Sequence, residues 1–117
     1  MSELDQALDR IREHPGVEHV LVLGRDGLLI QHVGSGGLDA ETVSAMVPGV
    51  AGAAAALGGA AGAGAAQTVV VRLEHGVAVV QGLSDEVLLA VLLRGGTGFA
   101  PLLGELASGR ERLAALV

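Results

Sequence analysis

Histidine is the side chain in this sequence best suited to proton transfer or metal binding, and the chain has four: His14, His19, His32 and His75. His14 precedes a helix-stopping Pro-Gly pair and His75 lies in a turn, where an imidazole is most simply solvated. His19 and His32 fall in two consecutive apolar runs, and we expect them to face each other across a hairpin. A protein zinc site needs three or four ligands. Because the sequence supplies no clear third ligand near this pair, it predicts no metal centre.

The common motifs of nucleotide binding and nucleophilic catalysis are missing. The sequence contains no Lys, which excludes the G-x-x-x-x-G-K-[ST] phosphate loop. Ser35 and Ser84 lack the G-x-S-x-G frame of a catalytic serine. Asp85 and Glu86 are adjacent at a turn, so their carboxylates point in different directions and do not form an acid/base pair. The sequence therefore predicts a protein that is not an enzyme and needs no cofactor.

Arg25 is the cation best placed to act on another protein. It lies in Gly24-Arg25-Asp26-Gly27, between the apolar runs 17–23 and 28–33. An Asp-Gly pair between such runs is a strong hairpin signal, and we expect Gly27 at positive φ. A tip arginine can act as a finger supplied in trans to a nucleotide enzyme. An ordinary exposed turn residue is the favoured interpretation.

The elements that must position these residues follow the order α-β-β-α-β-β-β-α. Tight antiparallel connections exclude a parallel, doubly wound sheet. Strands that are apolar at nearly every position need cover on both faces. We predict one domain over residues 1–117, an α/β/α sandwich in which helix layers cover a five-stranded antiparallel sheet. The helices are expected over residues 2–13, 39–57 and from Pro101 onward, and the strands over 17–23, 28–33, 67–73, 77–83 and 86–93. The turn Glu74-His75-Gly76 is expected to have the shape of Arg25-Asp26-Gly27.

Residues 42–71 form an uncharged segment dominated by Ala and Gly. A membrane span needs about 20 strongly apolar residues. Ala and Gly contribute little insertion energy, and Pro48 weakens a span further. We therefore expect no membrane insertion. Residues 58–66, without periodic apolar positions, fit a flexible connector instead.

The helix predicted over residues 39–57 has two apolar faces. One face should cover the sheet and comprises Val43, Met46, Val47, Val50, Ala54 and Leu57. The other carries small residues that allow a second backbone to approach closely: Ala45, Gly49, Gly52 and Ala56. An uncharged helix with two such faces needs a partner, so we predict a dimer. The alternative is that a GC-rich genome placed Ala at exposed positions that tolerate it.

Charge and Cys content narrow the classes of partner and compartment. The net charge of −6 and the pI near 5.0 argue against a nucleic-acid partner, because phosphate binding depends on clustered Lys and Arg. The chain has no Cys, and its acidic first residues do not form a signal peptide. We expect a cytoplasmic protein.

Several stretches resemble the opening and the later strands of the Roadblock/dynein-light-chain domain family. They are Pro15-Gly16-Val17-Glu18 leading into Val20-Leu21-Val22-Leu23, then Arg25-Asp26-Gly27-Leu28-Leu29-Ile30, Val69-Val70-Val71-Arg72-Leu73 and Leu88-Leu89-Ala90-Val91-Leu92. The resemblance covers essentially the whole chain and implies a profilin-like α/β/α domain. It also implies a homodimer or heterodimer that packs the central helices together and pairs the third strands, here through Gln67, Val69 and Val71.

The same resemblance implies a function. Stand-alone bacterial members are similar to MglB, a regulator of small Ras-like GTPases. Such a regulator need not insert an arginine finger into the GTPase. Eukaryotic relatives serve as scaffolds. We therefore expect a non-enzymatic homodimer that binds a small Ras-like GTPase and modulates its nucleotide cycle. The alternative is an assembly scaffold of the dynein-light-chain type that is indifferent to nucleotide.

Overall fold

Eight elements follow one another in the predicted order along residues 2–117, the part of the chain that this computed structural model describes. The three helices are α1 (Glu3–Arg12), α2 (Ala40–Ala60) and α3 (Ala100–Ala114). The five strands are β1 (Val17–Gly24), β2 (Leu29–Gly34), β3 (Thr68–Leu73), β4 (Gly76–Gly82) and β5 (Val87–Arg94). The predicted fold class and element order are confirmed.

The strands form one antiparallel sheet in the order β2-β1-β5-β4-β3. β5 is the central strand, and it pairs with β1 along nearly the whole length of both strands, from Val17 opposite Leu93 to Gly24 opposite Val87. The two edges are β2 and β3. Each edge strand belongs to a hairpin, β1–β2 or β3–β4, so local turns determine where both edges lie.

Both faces of the sheet are covered, which explains why its central strands are apolar at nearly every position. Val20 and Val22 of β1 join the core under α1 and α3, whereas Leu21 and Leu23 join the core under α2. Successive side chains of a strand point to opposite faces, so one apolar run contributes residues to the cores on both sides of the sheet. α3 contributes Leu102, Leu106 and Leu113 to the first of these two cores.

Ser2 and Asp39, the first residues of the two predicted helices 2–13 and 39–57, are the N-caps of α1 and α2. The Ser2 hydroxyl accepts a hydrogen bond from the Asp5 amide at 3.1 Å, and the Asp39 carboxylate accepts one from the Thr42 amide at 3.2 Å. The side-chain and backbone hydrogen bonds from Thr42 lower the pKa of Asp39. A side-chain hydrogen bond from Gln31, and then one from Ser2, lower the pKa of Asp5. Both carboxylates, that of the α2 cap Asp39 and that of Asp5 in the first turn of α1, are thereby favoured in their charged forms.

α2 ends three residues later than predicted, so the expected connector 58–66 is wrong over its first three residues. Gly62 has φ +65°, its amide donates to Gly59 O at 3.2 Å, and the amide of Ala63 donates to Gly58 O at 2.9 Å. This pair of bonds is a Schellman cap, which holds the last turn in place. The following loop folds back until the Gly64 carbonyl occupies the space of a Cβ at Gly58.

The second hairpin differs from its predicted shape. Gly76 belongs to β4 and pairs with Leu73, so the turn has only two residues, Glu74 and His75. Gly76 also lies against β5, where a Cβ would come within 3.1 Å of Leu93 O. Glycine is therefore needed here for the close approach of β5 and not for a left-handed backbone conformation. The strand before this turn begins at Thr68, so Gln67, predicted as strand, immediately precedes it.

Candidate functional site

α2 rests on the sheet along a narrow stripe and leaves its opposite side open. Ser44 and Val47 are buried, and Val43 and Val50 are half-buried against the same core. The small residues predicted for a partner are all exposed: Ala45, Gly49, Gly52 and Ala56. A Cβ added at either of these two glycines would meet no atom within 4 Å. The structure thus places the predicted small residues together on an unoccupied side of the helix.

Met46 and Leu57 join this open side, contrary to the prediction that they cover the sheet. Met46 is 67% exposed and Leu57 is 70% exposed. With about 100° between successive residues, both lie roughly 80–100° from Val47 on the same flank. The stripe that reaches the sheet is too narrow to include them. We call the exposed set the α2 free face: Ala45, Met46, Gly49, Gly52, Ala56 and Leu57.

The α2 free face carries no charge, because no charged residue lies between Glu41 and Arg72. Within residues 2–117, α2 is the helix with the length and composition of a membrane span, with a mean hydropathy of 1.5. One side of it nevertheless packs on the sheet. A large uncharged and apolar face of this kind is typical of an interaction site.

The free edge of β3 lies on the same side of the molecule as part of α2. β3 pairs with β4 without any register shift, from Thr68 opposite Gln81 to Leu73 opposite Gly76. Val69 packs into the core beneath α2, and Val71 shares its face of the strand. The outer edge is therefore a regular six-residue strand in which alternate residues present unpaired backbone groups, which is a template for another strand.

The opposite edge, β2, is irregular. Its register shifts between Val22 and Leu23, which leaves Ile30 without a cross-strand partner. Such a bulge interrupts the backbone ladder and discourages the addition of another strand. The two sheet edges thus differ, and β3 is the one suited to pairing.

The hairpin tip Arg25-Asp26-Gly27 is held from two sides. The Arg25 guanidinium donates two hydrogen bonds to the Ser84 carbonyl, at 3.2 and 3.0 Å, and so joins the β1–β2 turn to the β4–β5 turn. The Asp26 carboxylate accepts from the Leu28 amide at 3.0 Å. Gly27 has φ +90°, as predicted. The Arg25 guanidinium would have to break both hydrogen bonds to Ser84 O before it could act as an arginine finger.

Ser44 links the same tip to α2 and was not identified from the sequence. It is fully buried, and its hydroxyl donates to Gly27 O at 2.8 Å. A Cβ at Gly27 would lie 3.3 Å from the Ala45 backbone, so the turn sits directly against the helix. The one indication in the sequence was that Ser44 lies on the same face of the helix as Val47 and Ala51, where a hydroxyl would be buried and would need a partner.

His19 and His32 do meet across the first hairpin, with His19 Nδ1 3.1 Å from His32 Nε2. Burial lowers the pKa of His19, and the neighbouring His32 lowers it further. The neutral imidazole is therefore favoured. No group of three or more His, Cys, Asp or Glu in residues 2–117 is placed to hold a metal ion.

Comparison with known proteins identifies what this arrangement resembles. The family model of the Roadblock/LC7 domain matches residues 3–93. Two uncharacterized proteins of Methanocaldococcus jannaschii are each 28% identical over 88 residues, which are 75% of this chain and 77% of the relative.

Solved structures extend the likeness to the whole fold. A Roadblock/LC7 domain from Streptomyces avermitilis has a TM-score of 0.85 and 23% identity, over 97% of both chains. The gliding protein MglB of Thermus thermophilus has a TM-score of 0.85 and 20% identity, over 97% of this chain and 87% of that one. MglB of Myxococcus xanthus reaches 0.86 at 15% identity, over 98% and 94%. At these identities the likeness is one of fold.

Proposed function

Because this chain belongs to the Roadblock/LC7 domain family, we propose that it is a non-enzymatic, dimeric, cytoplasmic regulator of a small Ras-like GTPase. In this role it binds the GTPase and modulates its nucleotide cycle. The observation that carries the proposal is the α2 free face, an uncharged apolar surface next to a regular sheet edge. The fold shared with MglB proteins supports the same class of function.

The proposed dimer uses the α2 free face and the β3 edge of each copy. A two-fold pair brings the same patch of both subunits together, so one helix face and one strand edge suffice for a complete interface. Gly49 and Gly52 let the two helices approach closely, while Met46 and Leu57 supply apolar area at the flank. Val69 and Val71 lie on the strand that would continue the sheet into the second copy.

The proposed regulation does not depend on an arginine supplied in trans. The Arg25 guanidinium is engaged by Ser84 O, so its role in the proposal is to hold two turns together. The dimer would instead hold groups of the GTPase in their hydrolytic or exchange-competent positions. This mode requires a rigid surface and no reactive side chain.

The test uses the purified chain and a candidate small Ras-like GTPase from the same genome. Binding is measured with the GTPase loaded with GDP or with a non-hydrolysable GTP analogue, and hydrolysis and nucleotide release are timed with and without the chain. We expect a preference for one nucleotide state and a change in one rate. Absence of binding in both states would sink the proposal. Equal affinity with unchanged rates would favour the nucleotide-indifferent scaffold.

A further inference from the structure

The β1–β2 tip forms one side of a groove of about 480 Å³, at the sheet edge opposite β3. Leu28, Ile30 and Val87 give the groove its apolar lining. The Arg25–Ser84 hydrogen bonds hold its two sides, the β1–β2 turn and the β4–β5 turn, against each other. The groove is therefore part of the folded framework.

Two of the three apolar side chains of the groove, those of Leu28 and Ile30, are free of the protein core, whereas Val87 is half-buried against it. Leu28 is 70% exposed and Ile30 is 50% exposed, and neither belongs to the two core clusters. Leu29 between them packs beneath α2. Two large aliphatic side chains beside one groove leave apolar area that a bound segment could cover.

The rim of the groove is acidic. Asp26, Asp85 and Glu86 line it and are exposed, and no ion pair within residues 2–117 involves any of the three. Arg25 is the one cation in the lining, and its guanidinium donates to a backbone carbonyl. Three carboxylates against one guanidinium give the groove a net charge of −2.

The bulge at Ile30 determines how a segment can bind here. It interrupts the β2 ladder, so an added strand would find no regular row of backbone partners. Side chains must therefore provide the recognition. A segment would place an aliphatic side chain against Leu28 and Ile30 and a cation against the rim.

We propose that this tip groove is a docking site for a segment of a partner protein that carries Leu or Ile side chains flanked by Arg or Lys. The acidic rim attracts such a segment and repels acidic ones, which gives selectivity as well as a faster encounter. A second copy of this chain is a poor occupant, because its own net charge is −6. The inference goes beyond the proposed function, since it involves neither the α2 free face nor a nucleotide.

The test titrates the ¹⁵N-labelled full chain with three short synthetic peptides. The first alternates Leu with Arg, the second replaces each Arg with Glu, and the third replaces each Leu with Ser. We expect the first to bind and to shift the amide signals of Leu28, Ile30 and Val87. Equal binding of the Glu peptide, or shifts confined to the α2 free face, would overturn the proposal. Equal binding of the Ser peptide would show that charge attraction alone accounts for the binding, and that result would also overturn the proposal.

Matched variants locate the binding. Leu28→Ser should weaken the Leu-Arg peptide about tenfold, as expected for losing the burial of one aliphatic side chain. Glu86→Gln should weaken it about threefold, and more so at low salt. Val117→Ser and Glu111→Gln are the controls, because both residues are exposed away from the groove and from the β3 edge. Should the controls weaken binding as much as the groove variants, the site is not the tip. Melting curves verify that each variant is folded.

Discussion

At the scale of single residues, Ser44 shows how one buried hydroxyl can hold a turn in place. Its hydrogen bond to Gly27 O joins α2 to the hairpin tip that carries Arg25. One hydrogen bond therefore fixes the position of the tip relative to the helix. The position of Ser44 on the buried face of the helix is visible in the sequence, but the partner of its hydroxyl is not. Only the fold brings residues 17 positions apart into contact.

Replacing Ser44 with Ala should destabilise the protein by about 1–2 kcal/mol, because Gly27 O loses its donor. The measurement is the free energy of unfolding by urea. Ser108→Ala is the control, since Ser108 is exposed and its hydroxyl bonds only to Glu105 O in its own helix. An unfolding free energy equal for the two variants would contradict the anchor role.

The His19–His32 pair makes stability depend on pH. Burial and His32 lower the folded-state pKa of His19 below its ordinary value of 6.5. The unfolded chain therefore binds a proton that the folded chain resists, and stability is lost as the pH falls below about 6.5 toward the folded pKa. Above that pH the full contribution is present.

The variant His19→Gln should lose less stability than the wild type when the pH is lowered from 7.5 to 5. Urea unfolding at a series of pH values measures this directly. His75→Gln serves as the control, because the His75 side chain is exposed in a turn and the variant leaves the buried pair intact. If both variants follow the wild-type pH curve, His19 is not the source of the dependence.

At the scale of elements, α2 shows what periodicity can and cannot predict. The alternation of small and large residues indicated the sheet side and the open side correctly at Val47 and at Gly52. It failed at Met46 and Leu57, because residues on the flank of a helix are buried or exposed according to the width of the contact. That width depends on the sheet beneath, which the local sequence does not describe.

The two hairpin turns make the same point about local chemistry. The first was predictable because Asp26 can accept from the Leu28 amide while Gly27 takes a positive φ. The second, Glu74-His75, has no such acceptor, and its following Gly76 is needed for the approach to β5. A glycine near a turn can be required either for a positive φ, as at Gly27, or for close approach of a neighbouring strand, as at Gly76. The sequence does not distinguish these two requirements, because the second depends on which strand lies alongside.

Gly52→Leu should abolish the proposed dimer, because a Leu side chain on the α2 free face prevents close helix approach. The monomer has room for it, since nothing lies within 4 Å of a Cβ at this position. Sedimentation velocity distinguishes dimer from monomer. Gly104→Leu is a matched control on α3, where the glycine is also exposed, helical and free of neighbours. Retention of the dimer in Gly52→Leu would show that the interface lies elsewhere.

At the scale of the whole molecule, the sequence predicted the fold better than the surface. Apolar runs and turns were enough for the sheet and its layers. The tip groove was not predictable, because Arg25 and Ser84 are separated by 59 positions and meet only when β1 and β5 pair. Sites assembled from distant turns are invisible to local patterns.

A dimer makes thermal stability depend on protein concentration. Each tenfold dilution removes about 1.4 kcal/mol of assembly free energy per dimer, so the wild-type Tm should fall by roughly 2–4 °C for each tenfold dilution. Differential scanning calorimetry over a hundredfold concentration range measures the shift. The Tm of Gly52→Leu should not change over that range. A wild-type Tm independent of concentration would argue against the dimer.

The unlike edges of the sheet have a consequence for how far assembly can proceed. If two copies join along β3, each outer margin of the combined ten-stranded sheet is a β2 strand with its bulge at Ile30. A third copy then finds no regular edge to extend. Growth terminates at the pair, so the same backbone pairing that would build a fibre from two regular edges yields a closed particle of defined size.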